Sequence, residues 1–139
     1  MTRATEEVRV RITTDDDIVT ARQEGRRLSS VLGFSSTDLT LIATAISEVA
    51  RNIRLYAERG DVQLKLVREP GREGIVVVAR DKGPGIKDVD LAMQDGYSSG
   101  GSSGLGLPGA RRLMDDFDIR SRPGRGVTVT MKKWTPGGG

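Results

Sequence analysis

Glu48 and Asn52 stand one helical turn apart in the stretch SEVARNI. A carboxylate can take a proton from a nucleophile, and an amide oxygen can ligate a hard cation. The pair could therefore serve group transfer on a metal-bound substrate. A second set follows a hydrophobic stretch: Asp81, Gly83 and Gly85 in DKGPGI. An aspartate at a strand end beside a Gly-Pro-Gly turn can read the edge of a base. The third is the run GYSSGGSSGLGLPGARRLMD, which starts at Gly96. Glycine-rich backbone leading into a helix offers N–H groups to phosphate. Each set has a plain alternative: an amphipathic helix flank, a turn, a flexible linker. In this order along one chain they describe a nucleotide site. It is not a Walker A site, because no Gly-Lys-Ser/Thr follows the loop.

Absences narrow the chemistry. The 139 residues include no His and no Cys. That removes Ser-His-Asp triads, thiolate nucleophiles, His- or Cys-ligated zinc and disulfides. Catalysis would have to come from carboxylates, amides, Arg, Lys or a bound metal. The formal charge of +3 is compatible with an anionic ligand. The few aromatics, Phe34, Tyr56, Tyr97, Phe117 and Trp134, are not interleaved with basic residues, so no nucleic-acid surface is expected. No apolar leader or membrane-length run is present, and the chain reads as cytoplasmic with no membrane partner.

The elements that must position these residues can be read from periodicity. Residues 7–13 alternate like a half-buried strand. A helix is expected from the TTDDD stretch to about Leu32, and another from Ser35–Asp38 to near Ala57. Residues 62–68 and 75–80 read as a hairpin joined by EPGREG. A short helix is expected near Asp88–Asp95, a further one from near Pro108, and strands at 117–122 and from Gly126 to Trp134. The order predicts an α+β two-layer sandwich, with a mixed or mostly antiparallel sheet and helices on one face. One domain is expected over residues 1–134, with a disordered glycine-rich tail at 135–139.

At ~100° per residue, Ile42, Ile46, Val49, Ile53 and Tyr56 share one stripe of the second helix. Leu41, Ala45, Glu48 and Asn52 form the row beside it. The two polar residues are thus expected at the edge of the buried face, with Arg51 nearly opposite the stripe. Asn is a poor helix-interior residue, so helix propensity does not account for Asn52.

Together the motifs resemble the Bergerat-fold ATP-binding superfamily, which includes gyrase, Hsp90, histidine-kinase catalytic domains and the anti-sigma-factor serine kinases. The resemblance covers nearly the whole chain. SEVARNI-x-LYA, DKGPGI and QDGYSSGG…LGLPGARRLMDDF are very similar to the RsbT-type switch serine/threonine kinases of bacterial stress signalling. The resemblance implies ATP with Mg²⁺ as the ligand. It implies Glu48 as the catalytic residue, Asn52 as the metal ligand, and Asp81, Gly83, Gly85 and Ile86 on the adenine side. It implies that Gly100, Gly101, Ser102, Ser103, Gly104, Leu105, Gly106 and Leu107 close over the phosphates. STAS-domain scaffold or antagonist proteins are implied as substrates, a PP2C-type phosphatase as a downstream partner, and a homodimer is compatible. The alternative it leaves open is an anti-sigma factor that sequesters a sigma factor. Many members carry Thr after the glycine that precedes the last strand; Val127 stands there, so an adenine-side hydrogen bond is expected to be missing. Arg111 and Arg112 are read as a phosphate or partner contact, or as a solvated helix face.

Overall fold

The computed structural model describes residues 3–85 and 106–135. Strand β1 (Arg3–Ile12) leads into helices α1 (Asp16–Ser29) and α2 (Ser36–Tyr56). The hairpin β2 (Gly60–Glu69) and β3 (Arg72–Asp81) follows, then α3 (Gly106–Leu113), β4 (Asp116–Arg122) and β5 (Gly126–Trp134). The described strands form one sheet in the order β1-β2-β3-β5-β4. Every pairing is antiparallel. The expected α+β sandwich is thus observed, with the sheet wholly antiparallel among the described residues. The short helix expected near Asp88–Asp95 lies outside them, as do tail residues 136–139. Thr135 donates its N–H to the Glu73 carbonyl, so the chain is still tied to the start of β3 there.

The core lies between the sheet and α1 and α2. Val62, Leu64 and Leu66 of β2 and Ile75, Val77 and Ala79 of β3 alternate toward the helices, as a strand's two-residue period requires. α2 is the central helix. It begins at Ser35, whose side chain accepts the Asp38 N–H as an N-cap. Ile42, Ile46, Val49 and Ile53 are buried as expected. Ala43, Ser47 and Ala50 are buried as well, because α1 and α3 pack on α2 beside the sheet. α3 packs chiefly on α2.

Two expectations are corrected, the end of α1 and the burial of Tyr56. α1 stops at Ser29; Val31 and Leu32 then donate to the carbonyls of Leu28 and Ser29 in a tighter turn. Leu32 is still buried, because the turn folds it back under the helix end. Tyr56 does not continue the buried stripe and is 37% exposed. α2 ends there, and Glu58 takes the left-handed φ of 67° that reverses the chain into β2.

Candidate functional site

The site residues meet along α2. Glu48 and Asn52 follow one another on the flank of the helix, where the packed surface gives way to solvent; Glu48 is buried and Asn52 half-buried. Glu48 is 7% exposed, and neither oxygen is idle. Its Oε2 accepts the backbone N–H of Gly106 at 2.8 Å. Its Oε1 accepts from Arg51 Nη1 at 2.7 Å. Gly106 is the first residue of α3, whose leading N–H groups have no acceptor within the helix. A carboxylate there answers both the free donor and the positive end of the helix.

Arg51 adds to the sequence reading. It keeps to the open side of the helix, with its side chain 40% exposed, and its guanidinium also turns back along the helix to Glu48. An acid and an arginine three residues apart are neighbours on a helix surface, and the long arginine stem spans the difference in angle. The E-x-x-R spacing was the available signal.

The other end of the site is built on β3. Asp81 is its last residue, held by pairing with Gly60 of β2. Its Oδ1 accepts the N–H of Gly83 at 2.9 Å and the N–H of Val127 at 3.2 Å. Among the described residues, Oδ2 receives no hydrogen bond. Burial pushes the Asp81 carboxyl above the ordinary aspartate value of 3.8, and the two N–H donors pull it back part of the way. Val127 therefore takes part in the geometry around Asp81 through its backbone, while its side chain sits in the core. The sequence reading weighed only that side chain.

The glycines here permit close backbone approach. A Cβ on Gly83 would stand 2.5 Å from the Ala57 Cβ, so the turn rests directly on the end of α2. Gly126 has φ 111°, and a Cβ there would stand 2.1 Å from the Asp81 carbonyl oxygen. Gly85 lies against Arg122, and the Pro84 carbonyl accepts the N–H of Gly124. α2 thus joins both ends: Glu48 touches the start of α3, and Ala57 touches the Asp81 turn. The nine helical steps from Glu48 to Ala57 cover about 13 Å at the helical rise, with Asn52 in between.

Of the residues singled out in the sequence, Glu48, Asn52, Asp81, Gly83, Gly85, Gly106 and Leu107 are described. Leu107 is buried in the core cluster, and its backbone belongs to the first turn of α3. Ile86, Gly100, Gly101, Ser102, Ser103, Gly104 and Leu105 lie outside the described residues. Arg111 and Arg112 are on the exposed face of α3. No helix among the described residues is long and apolar enough to cross a membrane.

Comparison with known proteins gives a consistent result. Residues 4–133 match the family described as histidine kinase-like ATPase domain. Serine/threonine-protein kinase RsbT of Bacillus subtilis (strain 168) is 48% identical over 125 residues, covering 90% of this chain and 94% of the relative. An anti-sigma F factor of Clostridium novyi (strain NT) is 33% identical over 109 residues, covering 75% of this chain and 76% of that one. Among solved structures, the RsbU and RsbW domains of Rv1364c from Mycobacterium tuberculosis superpose with a TM-score of 0.64 at 18% identity. That match covers 95% of this chain and 34% of the longer protein, and at this identity it speaks for the fold alone.

Proposed function

Since the chain belongs to the histidine kinase-like ATPase domain family, we propose that its three motifs form one ATP site and that it passes the γ-phosphate to a serine or threonine of a partner protein. The chain is a serine/threonine protein kinase by its 48% identity to RsbT over nearly the full length of both. The structural observation that carries the reading is the Glu48 carboxylate held on the Gly106 N–H. It sets a proton acceptor at the helix end best suited to receive phosphate.

The residues divide the work by chemistry. Asp81 accepts from the exocyclic amine of adenine through Oδ2, with Oδ1 already committed to Gly83 and Val127. Gly83, Gly85 and Ile86 let backbone approach the base and ribose. Backbone N–H groups over Gly100–Leu107 receive the phosphates. Asn52 would supply one neutral oxygen to Mg²⁺, which suits a hard cation that otherwise prefers phosphate and water oxygens. When bound, Mg²⁺ neutralises charge on the phosphate oxygens. Glu48 takes the proton of the partner's hydroxyl. That oxygen then forms its bond to the γ-phosphorus as the bond to the bridging oxygen breaks, and ADP leaves. Positioning and charge stabilisation suffice for phosphoryl transfer, so no histidine or cysteine is needed.

The substrates are STAS-domain scaffold or antagonist proteins in a cytoplasmic stress-signalling complex, and the released kinase engages a PP2C-type phosphatase. The test is incubation of the purified chain with γ-labelled ATP, Mg²⁺ and STAS proteins from the source cell. Label on a STAS serine or threonine is expected. A second reading, sequestration of a sigma factor, draws on the 33% identity to an anti-sigma F factor. Nucleotide-dependent capture of a sigma factor with no labelled STAS protein would favour it instead.

A further inference from the structure

Both oxygens of Glu48 are engaged, but the two donors have different futures. Gly106 offers its N–H at the start of α3, among the groups that the kinase reading assigns to phosphate. A triphosphate brings more charge and more acceptor oxygens than one carboxylate, so it outcompetes Glu48 for that N–H. Arg51 lies on α2 with Glu48, less than one turn further on, and binds the other oxygen. Nucleotide loading gives it no reason to leave.

We propose that Arg51 is the positioning residue for Glu48: once phosphate takes the Gly106 N–H, Arg51 alone keeps the carboxylate aimed at the incoming hydroxyl. This rests on the kinase reading above. The ordinary alternative is a solvated helix pair, which contributes little. The burial argues against that. The Glu48 side chain is 8% exposed while that of Arg51 is 40% exposed, so a buried carboxylate is held by a guanidinium that reaches it from the surface. A buried acceptor that loses its charged donor has few ways to be satisfied. Arg51 and Glu48 also share one rigid element, so their geometry survives any shift of α3. Arg51 borders a surface groove with Val19, Arg22, Arg54 and Leu55, which gives a rival role, contact with the protein substrate.

The experiment compares Arg51→Met and Arg51→Lys with the unmodified chain. Transfer is measured while ATP and the protein substrate are varied separately. The Gly106 amide is followed by ¹⁵N NMR without nucleotide. Arg51→Met should lower kcat about 10–100-fold, the scale of a misplaced reacting group, with both KM values within about threefold. Arg51→Lys, which keeps a charge but loses the planar fork, should recover a large part of kcat. The Gly106 amide resonance should move in Arg51→Met and return toward its original position in Arg51→Lys. A kcat unchanged in Arg51→Met overturns the proposal, and so does a raised KM for the protein substrate at constant kcat, which would make Arg51 a docking residue. If the unmodified chain transfers no phosphate, the kinase reading falls on its own. A Gly106 resonance indifferent to Arg51→Met would overturn the coupling whether or not transfer occurs.

Discussion

Replacing Glu48 by glutamine should produce three unequal effects, on stability, nucleotide binding and transfer. Glu48 accepts from Gly106 and Arg51 on separate oxygens. Glutamine keeps one acceptor and turns the other end into a donor, which must then face a donor. The cheaper arrangement leaves the oxygen on Gly106 and releases Arg51, whose side chain is 40% exposed and can reach water. The loss is then one charge-assisted bond at a site open on one side, about 1–2 kcal/mol of folding stability. For a domain of this size that lowers Tm by several degrees. ATP affinity should stay within a few-fold of the original, because the neutral amide yields the Gly106 N–H to phosphate at least as readily as the carboxylate does. Transfer should fall by about 10²–10⁴, the usual range for a lost general base, or about 2.7–5.4 kcal/mol on the barrier. Thermal denaturation, calorimetric ATP titration and labelled-phosphate transfer on one preparation separate the three. A variant that phosphorylates its partner at the original rate would refute the role assigned to Glu48. A variant whose ATP binding falls as far as its transfer would show that Glu48 shapes the site without taking the proton.

Asp81→Asn should weaken adenine nucleotides by roughly 1–3 kcal/mol, since the acceptor for the amine is exchanged for an amide with a misplaced donor. Guanine nucleotides should lose less, and equal losses in parallel titrations would remove Asp81 from base reading. The same substitution should raise or preserve thermal stability at neutral pH. Burial raises the folded-state pKa of Asp81, so the ionised group opposes folding, and that cost appears as pH rises from about 3.8 through the raised value. The Tm advantage of the Asn variant should therefore shrink as pH falls through that window; an advantage that grows on acidification would contradict the burial argument. Asn52→Ala should lower Mg²⁺-dependent ATP affinity and transfer together, while binding measured in EDTA changes little. Equal loss with and without the metal would show that Asn52 acts on the nucleotide directly.

The sheet and helices were legible because their signals are local. The alternation in GVTVTMKKW marks β5, and the Ser35 cap with a 3.6-residue apolar period marks α2. The end of α1 and the exposure of Tyr56 were less so, because a tight turn after Ser29 and the chain reversal at the left-handed Glu58 are settled by packing. Within the site, Glu48, Asn52 and Asp81 stood out by residue type. The contacts that tie them together did not. The Gly106–Glu48 and Val127–Asp81 bonds use backbone N–H groups, which no residue letter announces, and they join positions far apart in sequence. The pairing of Arg51 with Glu48 was not read, because angular position on a helical wheel ignores the reach of a long side chain.

α3 rests chiefly on α2, whereas Asp81 belongs to a strand in the interior of the sheet. The two ends of the site therefore have different lifetimes. Freeing the end that carries Asp81 means breaking ladder bonds of β3 with β2 and β5, among the costlier openings of the fold. Undocking α3 from α2 breaks one helix–helix packing surface, the Lys133 Nζ bond to the Leu113 carbonyl and, without nucleotide, the Glu48–Gly106 bond. Amide exchange should be slow at Val78 and Ala79 and faster through α3. On the proposed ATP reading, base selectivity is then a constant of the molecule. On the same reading residence time is adjustable: whatever holds α3 against α2 should lengthen the stay of the nucleotide, and whatever loosens it should speed ADP for ATP exchange without altering which base is read.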